Sequence, residues 1–182
     1  MIDPLLSQPA ADPAAPLAPV VRAERPEDAE WIEALQAECF GPERFARASY
    51  KIRETIPLDT SLSMVAEIGG EPVASVWMTP IQIGGVQGYL LGPLTTNPAF
   101  RKRGAGRLLV REVSALALAR PNVRFVMLVG DEPYYGPLGF AHVRSNGIEF
   151  PAPVDPNRVL IMTQDPSLVF SLSGAIEPVP GA

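Results

Sequence analysis

The sequence predicts a single domain of mixed α/β class. Three observations predict it: a glycine-rich connection, Gly69-Gly70-Glu71, between two apolar strands; a basic glycine loop that enters an amphipathic helix and is followed by a further apolar strand; and two helical segments ahead of the hairpin. A chain of 182 residues that is 47% hydrophobic is long enough to bury one core. The domain is expected over 20–175. It is flanked by a Pro/Ala-rich arm over 1–19, read as disordered, and a Pro/Gly-rich flexible tail over 176–182.

Taken in order, Pro4, Pro9, Pro13, Pro16 and Pro19 prevent helix or ladder from propagating through the arm. A strand follows over 20–23. Arg25-Pro26-Glu27-Asp28 suits the first turn of a helix, and Ile32, Leu35, Cys39 and Phe40 continue it at helical spacing. Phe45, Ala48 and Ile52 mark a second helix over 43–54. The hairpin strands are expected over 63–68 and 72–79, since the two glycines permit the positive φ of a tight turn. Ile81-Gln82-Ile83, the Gly84-Gly85 turn and a strand over 86–96 come next. Gly92-Pro93 interrupts that last strand, because proline cannot donate to a ladder, and a bulge or splay is expected there. A helix over 104–119 carries Leu108, Leu109, Val113 and Leu116, and a strand over 123–129 follows it. A short helix over 133–138 and strands near 141–143 and 158–162 complete the domain.

Composition narrows the function classes. Fifteen basic against twenty acidic side chains give a net charge of −5, which argues against a nucleic-acid or anionic-membrane binder held by its overall field. One Cys and one His exclude a disulfide framework and the usual zinc sites, so no metal is expected. No stretch has the length of a membrane span or the pattern of a signal peptide, and a cytoplasmic protein is expected.

Against this acidic background, Arg101, Lys102, Arg103, Arg107 and Arg111 fall within eleven residues that contain no acid. Around Gly104-Ala105-Gly106 the loop becomes a helix. It thereby offers unpaired N–H groups and the positive end of the helix dipole to an anion, with small residues that admit a phosphate. A P-loop is excluded, because no Gly-x-x-x-x-Gly-Lys-Ser/Thr occurs. A dinucleotide-binding turn would need glycine where Leu109 stands. It stays open as a competing reading because Asp131, after the next strand, imitates the ribose-binding acid.

The stretch Asn97-Pro98-Ala99-Phe100-Arg101-Lys102-Arg103-Gly104-Ala105-Gly106-Arg107-Leu108-Leu109 resembles the acetyl-CoA signature of the GNAT N-acetyltransferases, with the core Arg101-x-x-Gly104-x-Gly106. A second motif, Tyr134-Tyr135-Gly136-Pro137-Leu138-Gly139-Phe140, resembles the family's tyrosine motif at the expected spacing. With Leu91-Gly92-Pro93-Leu94 and Gly130-Asp131-Glu132-Pro133, the chain is most similar to the YhbS-like subgroup of that family. The resemblance covers roughly 20–162.

The resemblance implies a twisted, mostly antiparallel mixed sheet that splays between its fourth and fifth strands, flanked by about four helices. It implies acetyl-CoA as cosubstrate. Backbone groups of Leu94, Thr95 and Thr96 would bind the pantetheine arm, and the loop Arg101, Lys102, Arg103, Gly104, Ala105, Gly106 and Arg107 would cradle the pyrophosphate, chiefly through its amides. Tyr135 would be the general acid that protonates the leaving thiolate. Many relatives carry a Glu as base on the fourth strand, where this chain has Gly92 and Pro93; Glu67, Asp131, Glu132 and a water chain are the substitutes. The implied reaction is acetyl transfer to a primary amine of a small molecule or protein in a ternary complex, with a noncatalytic acyl-CoA-binding module as the alternative. Homodimers are common in the family. Arg44, Arg47, Lys51 and Arg53 in the second helix suggest an anionic acceptor.

Overall fold

The computed structural model describes residues 17–181, so most of the expected arm, residues 1–16, and Ala182 lie outside the described residues. The elements are β1 (Val20–Ala23), α1 (Ala29–Phe40), α2 (Ala48–Arg53), β2 (Met64–Ile68), β3 (Glu71–Ile83), β4 (Val86–Thr96), α3 (Ala105–Leu118) and β5 (Phe125–Val129). They continue with α4 (Glu132–Tyr135), β6 (Ala141–His142), β7 (Ile148–Glu149), β8 (Val159–Thr163), α5 (Leu168–Ser171) and β9 (Gly174–Glu177). The sheet runs β1-β2-β3-β4-β5-β8-β6, with β9 on the free part of β3 and β7 beside β9. All pairings are antiparallel except β4/β5 and β7/β9.

The two strands expected on either side of Thr79-Pro80 are one strand, β3. Pro80 is tolerated because its nitrogen faces an unpaired edge: β2 pairs with β3 only up to Val76, and the Met78 carbonyl two residues before Pro80 points away from β4 to accept from Asp59 N–H. In β4 the expected irregularity is a bulge. Val76 pairs with Leu94 but Met78 with Leu91, so β4 carries one extra residue at Gly92-Pro93. The splay follows: β4 and β5 pair only from Gly88/Phe125 to Leu90/Met127, and among the described residues no strand pairs with the later part of β4, from Leu91 on, on that side.

One core lies between the sheet and α3, built on Leu109, Val110 and Val113 with Val76, Met78 and Leu128. A second lies on the opposite face, where Ile52 and Ile56 pack on Ile81, Leu90 and Phe125. Each such side chain contributes about 1.5–3 kcal/mol on full burial. The buried stripe of α3 follows Leu109, Val113 and Ala117, whereas Leu116, expected on that stripe, is 44% exposed. It lies one residue, a 100° step, off the face turned to the sheet.

Two further expectations change. The helix predicted over 43–54 is a short 3-10 turn (Pro42–Ala46), an extended Arg47 and then α2, so Phe45 leaves the apolar stripe and stands 54% exposed while Ala48 and Ile52 are buried. The tail expected from 176 begins inside β9, where Ile176 and Glu177 pair with Ile83 and Gln82. β3 outruns β2 and leaves a ladder edge that this strand covers. No helix among the described residues is long and apolar enough to cross a membrane.

Candidate active site

The basic loop ends in two positions that require glycine. Gly104, the N-cap of α3, has φ +88°, a left-handed conformation that side chains resist. A Cβ on Gly106 would stand 2.9 Å from the Tyr134 hydroxyl and 3.2 Å from Thr96 Oγ1, so α3 starts in close contact with β4 and with the tyrosine motif. Leu108 N–H is the first α3 amide that bonds back to Gly104 O (3.0 Å), and the preceding amides at Ala105, Gly106 and Arg107 are the orphan donors of the helix start. The side chains of Arg101, Lys102 and Arg103 are exposed. Arg103 lies over Phe100, and Arg107 over the ring of Tyr134 (5.4 Å each).

On β4 the three expected contact residues differ in what they offer. Asn97 N–H donates to Val73 O (2.8 Å), so strand alternation turns the Thr95 backbone toward β3 and the Leu94 and Thr96 backbones toward the gap. The Thr95 hydroxyl is also engaged, 2.8 Å from Ser75 Oγ and buried. Among the described residues, Leu94 and Thr96 are therefore the two with free backbone groups, apart from a weak bond from Cys39 Sγ to Thr96 O (3.8 Å).

Tyr135 closes the splay from the β5 side. Its ring meets Tyr134 edge-on at 4.8 Å and Phe140 at 5.9 Å, and it lies so close over Gly130 that no Cβ would fit there. Burial pushes its phenol well above the ordinary tyrosine range; the neighbouring Tyr134 and Asp131 add to this and Arg158 opposes it. At neutral pH it is a proton donor.

Between these parts lies a cleft of about 360 Å³. β4 supplies Leu90 to Leu94, the β5 end supplies Leu128 to Asp131, and Tyr135 lies at the junction. The segment around α2 contributes Arg47 to Tyr50, and the loop before β8 contributes Pro153 to Asp155 with Arg158. Of the substitute bases, only Asp131 lines this cleft, held by Arg158 Nε at 3.1 Å. Glu67 is ion-paired to Arg22 at 2.5 Å, and Glu132 packs where a Gly136 side chain would be.

Two contributors carry no local sequence signal. Arg53 donates to the Gly92 carbonyl (2.8 Å) at the bulge and lies over Tyr50 (4.5 Å) and Trp77 (5.4 Å), with burial lowering its pKa to about 10. The loop 153–155, Pro153-Val154-Asp155, lies in a proline-rich stretch whose place on the cleft wall depends on β8 and on Val154 packing against the second core. The adjoining Gly130-Asp131 step is legible only as part of the family-like motif.

The mixed sheet thus splits where β4 and β5 run parallel, and a helix N-terminus and a buried tyrosine stand at the split. The Acetyltransferase (GNAT) family profile matches residues 29–140, more than half of the chain, and the chain belongs to that family. Its structure is similar to that of the GNAT family N-acetyltransferase YhbS from Escherichia coli in complex with CoA (24% identity, 92% of each chain, TM-score 0.72). It is also similar to a GNAT family acetyltransferase from Brucella melitensis in complex with acetyl-CoA (24% identity, 89% of this chain and 96% of the other, TM-score 0.62). An Arabidopsis thaliana protein in complex with the bisubstrate analogue CoA-Ac-MVNAL is more distant (14% identity, 81% and 99%, TM-score 0.55). Comparison with curated protein sequences finds no significant match.

Proposed function

We propose that the protein transfers the acetyl group of acetyl-CoA to a primary amine by direct attack in a ternary complex. The observation that carries this reading is the adjacency of three parts: the orphan amides of α3 beside Leu94 and Thr96, the gap-facing backbone of those two residues, and Tyr135, which lines one cleft with Leu94. The amides suit a pyrophosphate and the unpaired strand suits the amide groups of a pantetheine arm. The CoA and acetyl-CoA held by the two similar structures support the assignment.

In this reading the neutral amine attacks the thioester carbonyl carbon, a C–N bond forms, and the oxyanion is stabilised by the Leu94 N–H. Collapse breaks the C–S bond, and the Tyr135 hydroxyl gives its proton to the departing thiolate. The proton lost by the amine leaves through the cleft, where Asp131 is the lining carboxylate nearest Tyr135 in sequence.

Thermal unfolding with acetyl-CoA, CoA, NAD(P)H and ATP tests the proposal. Acetyl-CoA or CoA at 100 times its Kd is expected to stabilise by about 2.7 kcal/mol, a rise of roughly 5–10 °C, with no shift from the nucleotides. Protection by NAD(P)H without CoA would overturn it in favour of a dinucleotide site. CoA protection with no turnover across an amine panel would identify a binding module.

A further inference from the structure

The four cations of the second helical segment separate cleanly in the structure. Arg44 is buried and bonds Glu33 (2.5 Å) and the Gly41 carbonyl (3.0 Å); Lys51 pairs with Glu54 (2.7 Å); Arg53, which does not line the cleft, donates Nη1 to the Gly92 carbonyl and keeps Nη2 buried without a partner among the described residues. Arg47 has no carboxylate within ion-pair distance among the described residues, yet it is exposed and lines the cleft. Its guanidinium carbon lies 4.7 Å from the centre of the Phe40 ring, a stacking that leaves the N–H fork free at the edges. The other cation of the cleft, Arg158, is bonded to Asp131.

Arg47 also belongs to a different part of the site from the proposed phosphate-binding loop. None of Arg101 to Arg107 lines this cleft, which begins at Leu94 and runs the other way along β4. Its free charge therefore faces the acceptor. The lining carries two cations, Arg47 and Arg158, and two carboxylates, Asp131 and Asp155. Such a balanced site disfavours a phosphate dianion and suits a molecule that carries one positive and one negative group. Its volume of about 360 Å³ matches a small molecule alongside the end of a pantetheine arm.

We infer that the acceptor is a small amino acid-like molecule whose carboxylate is held by the Arg47 guanidinium while its amine is presented toward Tyr135. This rests on the acetyltransferase reading. A planar fork on a planar carboxylate fixes orientation as well as affinity, so the amine arrives in one pose. Asp131 and Asp155, two carboxylates that share the lining with one further cation, Arg158, draw the ammonium form before it loses its proton.

The test measures kcat/KM for amino acids, including β-alanine, against their carboxamides, with CoA binding followed separately by calorimetry. Wild-type protein is expected to prefer the acids by about tenfold or more. Arg47→Gln should bring acid and amide within about twofold, and Arg47→Lys should keep part of the preference, both with an unchanged KM for acetyl-CoA. Equal use of acids and amides, a preference that survives in Arg47→Gln, or acetylation of no acid by a protein that binds CoA would overturn the inference. Absence of CoA binding would instead remove the acetyltransferase reading beneath it.

Discussion

At the scale of single residues the proposed reaction depends on the Tyr135 phenol as proton donor. Tyr135 is packed against Tyr134, Phe140 and Gly130, and burial raises its pKa. The sign follows directly: the acid form is the one that donates, and a raised pKa keeps it populated as pH rises. The kcat profile should therefore show no alkaline fall from this group below about pH 10, the ordinary tyrosine value. Tyr135→Phe is expected to lower kcat about a hundredfold with little change in the KM for acetyl-CoA. A fall centred near pH 8 that disappears in Tyr135→Phe would show that the phenol is not held as described. Tyr135 was identifiable in the sequence through its motif, whereas Arg53 was visible only as one charge among four. Its bond to Gly92 joins residues that are 39 positions apart.

At the scale of elements, the proposed cosubstrate site rests on the junction of β4 with α3 rather than on the charge of the loop that joins them. Gly106 lets the helix start touch Thr96 and Tyr134, and the orphan amides, unlike the exposed side chains of Arg101 to Arg103, are fixed by the helix itself. Gly106→Val should accordingly weaken acetyl-CoA binding by about tenfold or more, since the new side chain clashes at the cradle. Arg103→Ala should weaken it less than about threefold, as expected for an exposed and screened charge. Calorimetry on both variants decides between backbone and side chain. The bulge at Gly92-Pro93 was readable because proline cannot complete a ladder. The orientation of Thr95 was not, because it depends on the register with Ser75 across β3.

For the whole molecule, the opening strand and helix are tied to the sheet by a half-buried ion pair. Arg22 grips Asp28 through two bonds (2.6 and 2.8 Å) and also reaches Glu67, and the Arg25 N–H adds a third bond to Asp28 (2.7 Å). The hydrogen bond from Arg22, and then that from the Arg25 backbone, hold Asp28 below the usual carboxylate range despite its burial. A lowered folded-state pKa contributes stability that is present above about pH 4, the unfolded value, and is lost as pH falls through the folded value. Asp28→Asn should cost about 2–3 kcal/mol at pH 7, and the gap from wild type should shrink on going to pH 3. Urea titrations at the two pH values measure it; a gap independent of pH would mean that the pair contributes through packing alone.

What the chain determines by itself are the features whose cause is local. The glycine turn of the β2–β3 hairpin, the proline break in β4 and the helix start at Gly104 each follow from the conformational limits of a few adjacent residues. The tertiary structure decides whatever depends on partners distant in sequence. It breaks the segment 43–54 at Arg47 and brings Ile176 and Glu177 onto the uncovered edge of β3. It also brings the loop 153–155 to the same cleft as the α2 segment and leaves Arg47, one cation of four, without a bonded partner among the described residues. Periodicity reports which face of an element is apolar, but a free charge is defined only by the side chains that fail to reach it, and those are arranged by packing.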